Sequence, residues 1–183
     1  MNNKRKVILY IATSLDGYIA KPDDNIDFLT MVEKEGEDYG YSTFIQTVDT
    51  IIVGRKTYDK ILSMGVQYPH ANKNTFVITR TPQQDIGLVK FYSHSIKELI
   101  VNLKNKAGKN IYVDGGAEIV FELLKENLID EFYISIVPII LGDGIRLFKN
   151  NTPELKLTLV STKHFEKGLV QLHYTNKNIS PLN

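Results

Sequence analysis

Residues suited to anion binding stand directly after three predicted strands, at residues 50–53, 75–78 and 110–113. In chain order the groups are Gly54, Arg55, Lys56 and Thr57; Thr79 and Arg80; and Gly115 and Gly116. Arginine offers a planar fork for phosphate. Glycine lets a backbone approach a ligand closely, and a following helix directs free N–H groups at an anion. We therefore predict phosphate-binding chemistry at three strand ends; the alternative is that each is an ordinary polar or tightly packed turn.

Two further segments could carry chemistry. The sequence SLDGYIA, residues 14–20, follows the first predicted strand and contains Asp16 and Gly17, a pair typical of a tight turn. It would either cover a bound ring or serve as a plain turn. Ser135 is a lone hydroxyl in an apolar run, and a buried hydroxyl needs a hydrogen-bonding partner.

The elements that must position these residues alternate between strands and helices. Strands are predicted at residues 7–13, 50–53, 75–78, 88–91, 110–113 and 131–140, with a closing antiparallel pair at 155–164 and 169–175. Helices are predicted at residues 37–47, 57–62, 95–106 and 117–126. This order predicts an α/β fold with a mixed, mostly parallel sheet. Ligands of such sheets bind at the carboxyl ends of the strands, where all three groups lie.

Composition excludes several classes of protein. The 183 residues fit one domain, which we place at residues 1–176, followed by a polar tail at 177–183. A net charge of +1 argues against a nucleic-acid or membrane partner. The absence of cysteine excludes disulfides and thiolate catalysis and suits a cytoplasmic location. The four histidines lack metal-ligand spacing, so we predict surface positions for them and no metal.

Four segments together resemble a known superfamily. SLDGYIA, VGRKTY, VDGGAEIV and PIILGDGIRLF occur in the same order as in the dihydrofolate reductase-like superfamily, especially its riboflavin-biosynthesis reductase branch. The resemblance implies a three-layer fold, with helices on both faces of a mixed, mostly parallel eight-stranded sheet. It also implies NADPH, whose pyrophosphate and third phosphate would occupy the three predicted phosphate sites.

The resemblance also assigns roles to individual residues. Ala12 and Thr13 would line the nicotinamide, and Asp16, Gly17 and Ile19 would belong to the loop over that ring. Phosphates would be held by Gly54, Arg55, Lys56 and Thr57, and the adenosine 2′-phosphate by Thr79 and Arg80. The pyrophosphate would be wrapped by Gly115, Gly116, Ala117, Glu118 and Ile119. In relatives the Gly–Gly peptide bond at this position is cis.

The substrate side departs from both relatives. Counting back from GRKT places Asp38 where dihydrofolate reductases have an acidic residue, and Ser135 would support it. Asp38 is the expected catalytic acid if burial raises its pKa. The sequence has no tryptophan for the covering loop, and GRKTY favours dihydrofolate reductase whereas DGGAEI and LGDG favour the riboflavin reductase.

We therefore expect an NADPH-dependent reductase of a pyrimidine- or pterin-like heterocycle, similar to 5-amino-6-(5-phosphoribosylamino)uracil reductase, that forms a homodimer. Dihydrofolate reductase activity is one alternative. A non-catalytic, dimeric NADPH-binding module is a second, and a relic of the fold that binds no nucleotide is a third.

Overall fold

The computed structural model describes residues 5–176, so the predicted polar tail at residues 177–183 lies outside the described part. The strands are β1 (Val7–Ser14), β2 (Tyr18–Ala20), β3 (Val48–Gly54), β4 (Asn74–Ile78), β5 (Val89–Tyr92), β6 (Asn110–Gly115), β7 (Glu131–Val137), β8 (Ile145–Arg146), β9 (Thr158–His164) and β10 (Val170–Thr175). The α-helices are α1 (Tyr41–Gln46), α2 (Arg55–Ser63), α3 (Ile96–Lys104) and α4 (Ala117–Lys125). Two 3-10 helices occur at Asp27–Val32 and Glu166–Gly168.

Eight strands form one mixed sheet in the order β5-β4-β3-β6-β1-β7-β10-β9. Each pair from β5 to β7 is parallel, whereas β10 is antiparallel to both β7 and β9. The mixed, mostly parallel eight-stranded sheet and the closing antiparallel pair are therefore confirmed. The carboxyl ends of β4, β3, β6, β1 and β7 lie at one edge, which is the edge that the sequence predicted for ligand binding.

Helices cover both faces of this sheet. On one face, α3 and α4 bury Leu99, Ile100, Leu123 and other residues against Val7 and the alternate residues of β1. We call this the aliphatic face. On the other face, the helices α1 and α2 and the 3-10 helix Asp27–Val32 pack over Ile8, Tyr112, Val53 and Val137. We call this the aromatic face, because tyrosine rings contact one another and the rings of phenylalanine and histidine there.

Several element bounds differ from the prediction. The helix expected at residues 37–47 covers only Tyr41–Gln46. Gly40, directly before it, has φ +85°, a left-handed conformation, so the right-handed helix begins after this residue. The strand expected at 131–140 ends at Val137, directly before Pro138, which has no N–H for the sheet. The 3-10 helix Asp27–Val32 and the small β2–β8 sheet were not predicted.

Candidate functional site

The fold brings the predicted cofactor residues to one edge of the sheet. Ala12 and Thr13 lie at the end of β1, and the glycines and cations stand at the ends of β3, β4 and β6. These four strands are neighbours in the order β4-β3-β6-β1. The three predicted phosphate-binding groups therefore face a common space beyond the carboxyl ends of the strands.

Two glycine turns meet at the centre of this edge. A Cβ atom placed on Gly116 would lie 2.9 Å from Thr57 Oγ1, and one on Gly54 would lie 3.1 Å from Ile119 Cγ1. Gly115 has φ +108°, a backbone conformation that favours glycine. The peptide bond between Gly115 and Gly116 is cis, as the resemblance implied. The ends of β3 and β6 thus approach each other so closely that side chains are excluded from both turns.

A helix begins at each of these turns. The residues before α2 and α4 are Gly54 and Gly116, and neither helix start is capped by a side chain. The first N–H groups of an uncapped helix are available to an anion, and both helix dipoles favour negative charge there. Two uncapped helix starts side by side offer backbone N–H groups to an anion.

In residues 115–119, the segment predicted to bind pyrophosphate, the side chains have other roles. Ala117 and Ile119 are buried, and Ile119 packs in the core of the aliphatic face. Glu118 is paired with Lys149, with 2.6 Å between Oε1 and Nζ. Only the backbone of this segment is therefore left to contact a ligand.

The predicted cations are not equivalent. Arg55 Nε lies 2.7 Å from both carboxylate oxygens of Asp59, and its guanidinium lies over Phe91. Arg80 and Lys56 are exposed, and neither forms an ion pair with another residue of the range 5–176. The Thr79 hydroxyl donates to the Thr81 carbonyl and accepts from the Thr81 N–H, so it shapes the turn. Arg80 and Lys56 are thus the cations available to phosphate.

The loop after β1 is fastened to the loop after β7. The Asp16 carboxylate accepts hydrogen bonds from the Ser14 hydroxyl at 2.6 Å and from the Leu141 and Gly142 N–H groups at 3.1 and 2.7 Å. These donors lower the pKa of Asp16 from 3.8 to about 2, the Ser14 hydrogen bond contributing most. Asp16 therefore holds two loops together, beside the role in covering the nicotinamide that remains a prediction.

The other two residues of that loop also have structural reasons for their identity. Gly17 has φ +85°, and its carbonyl accepts a hydrogen bond from Leu147 N–H at 3.0 Å. Ile19 packs against the core of the aliphatic face. The β2–β8 pairing continues this attachment, so the loop is held along its length by the segment that contains residues 141–147.

Ser135 has the partner that its burial required. It lies opposite Ala12 of β1 and Gln171 of β10, and its hydroxyl accepts a hydrogen bond from Gln171 Nε2 at 3.1 Å. The same amide group donates to the Tyr10 hydroxyl at 2.9 Å, which donates to the Tyr39 carbonyl. Ser135 is thus in a buried polar network one strand away from the predicted nicotinamide position.

Asp38 does not meet the condition set for a catalytic acid. Its side chain is exposed, and it accepts hydrogen bonds from the N–H groups of Gly40 and Ser42 at 2.9 and 2.8 Å. Hydrogen bonds from Ser42 and Gly40 lower its pKa, whereas an acid at neutral pH needs a raised one. The residue caps the start of α1.

The acidic group nearest the glycine turns is Asp114, which the sequence analysis did not select. It directly precedes Gly115, and Tyr112 and Tyr68 donate hydrogen bonds to its two carboxylate oxygens at 2.8 and 3.2 Å. It is half-buried on the aromatic face. The VDGG segment contained this carboxylate, but the sequence did not reveal the tyrosines that surround it.

The surface position predicted for the histidines is wrong for His70. This residue is 7% exposed, and its Nε2 lies 3.1 Å from the Tyr41 hydroxyl. Its ring makes edge contacts with Tyr68 and Tyr112, so it belongs to the same group of side chains as Asp114. Among residues 5–176, no group of three or more His, Asp or Glu side chains is placed to hold a metal.

A comparison with protein-family models decides the family. Residues 5–171 match the family described as the RibD C-terminal domain. The chain belongs to this family. A curated relative, the uncharacterized protein YwjB of Bacillus subtilis (strain 168), is 47% identical over 173 residues, which covers 93% of this chain and 98% of YwjB.

Solved structures agree with this RibD C-terminal domain. A protein from Shewanella sp. PV-4, named for riboflavin biosynthesis, has a TM-score of 0.85 and 32% identity, covering 94% of this chain and 99% of its own. Dihydrofolate reductase from Enterococcus faecalis, complexed with NADP(H) and RAB-propyl, has a TM-score of 0.67 and 19% identity, covering 96% of this chain and 98% of its own. The chain therefore has the dihydrofolate reductase-like fold.

Within this family member, none of the described helices is long and apolar enough to cross a membrane. The arrangement at the carboxyl edge offers backbone donors and two free cations to an anion. The aromatic face beside it offers a carboxylate, hydroxyls and an imidazole to a polar ring. The two sets of groups adjoin at Asp114 and Gly115, so a nucleotide and a second small molecule could bind side by side.

Proposed function

We propose that this protein is an NADPH-dependent reductase that transfers hydride to a pyrimidine- or pterin-like heterocycle, similar to the 5-amino-6-(5-phosphoribosylamino)uracil reductase of riboflavin biosynthesis. The observation that carries the proposal is the contact between the two glycine turns, in which Gly116 lies against Thr57 and Gly54 against Ile119. It creates two uncapped helix starts in one cradle, as a pyrophosphate requires. Membership of the RibD C-terminal domain family supports the same cofactor and substrate class.

The preference for NADPH over NADH would come from Arg80. This exposed arginine follows β4, two strands from β6 in the sheet, and has no ion-pair partner within residues 5–176. A guanidinium forms charge-assisted hydrogen bonds with phosphate, each contributing about 1.5–3 kcal/mol. Arg80 would therefore hold the 2′-phosphate that distinguishes the two cofactors, while Thr79 shapes the turn that presents it.

The substrate would bind on the aromatic face, beside Asp114. Tyr68 and Tyr112 each donate a hydrogen bond to this carboxylate. The carboxylate oxygens keep further lone pairs that can accept hydrogen bonds from a ligand. An aminopyrimidine or pterin edge carries N–H donors of that kind. When bound, NADPH supplies the hydride; the chain orients the ring, excludes water and provides acceptors for the substrate.

The structure favours the riboflavin-type substrate over dihydrofolate. The acidic residue that the resemblance to dihydrofolate reductases selected, Asp38, is exposed and accepts hydrogen bonds from N–H groups at the start of α1. The reductase is distinguished from the non-catalytic alternative by turnover, which only the reductase predicts.

We also propose that two copies of the chain associate through β9. All seven residues of this edge strand are exposed, and Leu159 and Val160 are 52% and 53% exposed. An exposed apolar edge strand readily pairs with another chain. Sedimentation velocity of the purified protein tests this, and a monomer at micromolar concentration would contradict it. The cytoplasmic location stays a prediction from the sequence.

The proposed cofactor is tested by fluorescence titration of the purified protein with NADPH and with NADH. We expect clear preference for NADPH, and Arg80→Ala should weaken NADPH binding about 10- to 100-fold because a charge-assisted hydrogen bond is lost. Binding of NADH should not change. Lys60→Ala is the matched control, since Lys60 is also an exposed cation but lies in the last turn of α2.

Equal binding of the two cofactors by the wild type would contradict the role of Arg80. Absence of binding by either would overturn the reductase proposal as a whole. If NADPH binds, its oxidation is then followed with aminopyrimidinone and dihydropterin compounds, and the first compound oxidised identifies the substrate class.

A further inference from the structure

His70 is enclosed by aromatic side chains that come from three different elements. Tyr41 begins α1, Tyr112 belongs to β6, and Tyr68 is in the loop between α2 and β4 that also holds His70. The His70 ring lies 5.4 Å from Tyr68 and 5.9 Å from Tyr112, measured between centroids. A buried imidazole is unfavourable unless its nitrogens are hydrogen-bonded. The hydrogen bond to Tyr41 meets this need at Nε2, and its direction decides what Tyr41 can offer to a ligand.

The charge state of His70 follows from its surroundings. Burial lowers its pKa most, Asp114 opposes this by raising it, and Lys73 lowers it further. The titratable or charged groups that face it are Tyr41 from α1, Tyr112 and Asp114 from β6, and Tyr68 and Lys73 from its own loop. With a pKa below 6.5, His70 is neutral at neutral pH.

A neutral imidazole gives the hydrogen bond to Tyr41 a direction. A phenol O–H, with an ordinary pKa of about 10, is much more acidic than a neutral imidazole N–H, so the Tyr41 hydroxyl donates and His70 Nε2 accepts. The phenol oxygen keeps a lone pair, and Tyr41 is only half-buried. Tyr41 therefore presents an acceptor, on the same face as the acceptor oxygens of Asp114.

We propose that His70, acting through Tyr41, fixes the hydrogen-bonding polarity of the aromatic face beside Asp114, so that this face takes a heterocycle that presents N–H donors and rejects one that presents only acceptors. Tyr41 is the specificity-determining residue and His70 is a positioning residue. This inference rests on the proposed function, because it assigns the aromatic face to the substrate.

Acidification should reverse this polarity. When His70 is protonated, Nε2–H donates to the Tyr41 oxygen, and the Tyr41 hydroxyl must turn its own proton elsewhere. This face then presents a donor where it had presented an acceptor. Affinity for a donor-bearing ring should fall as the pH falls through the pKa of His70.

The direction of the bond is measured first, without any ligand. Nitrogen-15 NMR of the histidine side chains distinguishes a protonated from an unprotonated Nε2, and the His70→Gln variant assigns the His70 signals. We expect Nε2 to be unprotonated at about pH 7.5 and protonated only below the ordinary histidine pKa of about 6.5. A proton on Nε2 at about pH 7.5 would overturn the inference, whatever the outcome of cofactor binding.

Selectivity is then measured with two probes on the NADPH-saturated protein. Isocytosine carries the amino and N–H donors of an aminopyrimidinone, and 2,4-dimethoxypyrimidine offers only acceptors. NMR titration should show isocytosine binding and little binding of the dimethoxy compound. In Tyr41→Phe and His70→Leu, isocytosine should bind about 5- to 10-fold more weakly, as expected for one lost hydrogen bond.

The His70→Gln variant keeps the inference testable if His70→Leu fails to fold. Glutamine can accept from Tyr41 through Oε1 but does not titrate, so it should retain isocytosine binding at about pH 7.5 and lose the weakening that the wild type shows at about pH 5.5. His94→Gln, a change at an exposed histidine, is the matched control and should behave as the wild type.

Equal binding of the two probes would overturn the inference, as would wild-type affinity for isocytosine in Tyr41→Phe. Failure to bind isocytosine up to its solubility limit would do the same. These results differ from failure of the proposed function, which is absence of NADPH binding in the same samples. The nitrogen-15 measurement judges the Tyr41–His70 bond in either case.

Discussion

The aliphatic face of the sheet is packed by leucine, isoleucine and valine from α3 and α4, whereas the aromatic face buries tyrosines together with His70, Ser135 and Gln171. The apolar cluster on the first face contains one aromatic residue that is fully buried, Phe132. Polar side chains cost free energy when buried, so they need partners. Every buried side-chain nitrogen and oxygen among residues 5–176 has one.

This difference indicates which face is built for stability and which for chemistry. An aliphatic core gains free energy from area alone and tolerates no polar group. A face of hydroxyls, an amide, an imidazole and a carboxylate gains less from burial, but it offers directional groups to a ligand. The glycine turns stand at the carboxyl edge between the two faces, where the cofactor is expected.

The largest effect on stability is expected on the aliphatic face. Leu123 is fully buried there, and Leu123→Ala should lower the free energy of unfolding by about 2–5 kcal/mol because it leaves a cavity. NADPH affinity of the folded protein should not change. Urea denaturation and a cofactor titration measure the two quantities.

The companion change on the aromatic face is Tyr112→Phe, which removes the hydroxyl that donates to Asp114 and approaches the Tyr10 carbonyl. It should cost about 1–3 kcal/mol of stability and should also weaken isocytosine binding. If Leu123→Ala weakened ligand binding as strongly as Tyr112→Phe, the division of roles between the faces would be wrong.

The next effect concerns the glycine turns between the faces. Gly116→Ala places a Cβ 2.9 Å from Thr57 Oγ1, so the Thr57 side chain must shift and the added methyl group intrudes between the two helix starts. NADPH affinity should fall about 100-fold, the equivalent of about 2.7 kcal/mol, and is measured by fluorescence titration.

Gly108→Ala is the control, because its Cβ would meet Asp49 Oδ2 at 2.6 Å, in the Arg5–Asp49 ion pair far from the turns. It should reduce thermal stability and leave cofactor binding unchanged. Loss of NADPH binding in the control alone would contradict the proposed cradle.

A smaller effect is expected at Asp16, whose carboxylate joins the loop after β1 to the loop after β7. The pKa of Asp16 is about 2 against an ordinary value of 3.8, so its ionised form is favoured by folding. This contribution is complete above an unfolded-state pKa of about 4 and is lost as the pH falls toward 2. Asp16→Asn should therefore remove part of the decrease in Tm that the wild type shows between about pH 4 and pH 2.

Asp24→Asn is the matched control, since Asp24 is exposed and asparagine accepts its positive φ of 60°. Thermal melts at several pH values compare the three proteins. The same pH dependence in Asp16→Asn and the wild type would show that the hydrogen bonds of the Asp16 carboxylate do not form in solution.

The smallest effect is expected at Asp38. Asp38→Asn keeps an acceptor at the start of α1, so we expect turnover within twofold of the wild type and a Tm lower by at most a few degrees, because asparagine also caps helix starts. Steady-state kinetics with the identified substrate is the measurement. A loss of turnover above 100-fold with a normal Tm would return Asp38 to the site and revive the dihydrofolate reductase alternative.

Much of the fold was predictable because the main elements carry clear local signals. The β-branched run before Gly54 predicted β3, and Ser95 caps α3 through Glu98 N–H as expected. The β2–β8 sheet was not predictable, because strands of three and two residues carry no usable periodicity. The 3-10 helix Asp27–Val32 was missed because six residues are too few for a helical period to show, although four of them are apolar.

The candidate site also has a part that the sequence could predict and a part that it could not. Glycines next to strand ends are visible in a sequence, so the cofactor edge could be proposed from it. The partners of His70 come from α1, β6 and a loop, and only the folded chain brings them together. Asp38 shows the opposite error, because a spacing borrowed from relatives selected a carboxylate whose backbone neighbours define a different role.

The position of β10 has a consequence for how the protein is made. This strand follows β9 in the sequence but lies between β7 and β9 in the sheet, and it carries Gln171, which joins Ser135 to Tyr10. A ribosome must therefore translate beyond Thr175 before the polar network can assemble. Until then, β7 presents an unpaired edge to solvent, and a nascent chain stalled before Val170 is a target for chaperones or for association with other chains.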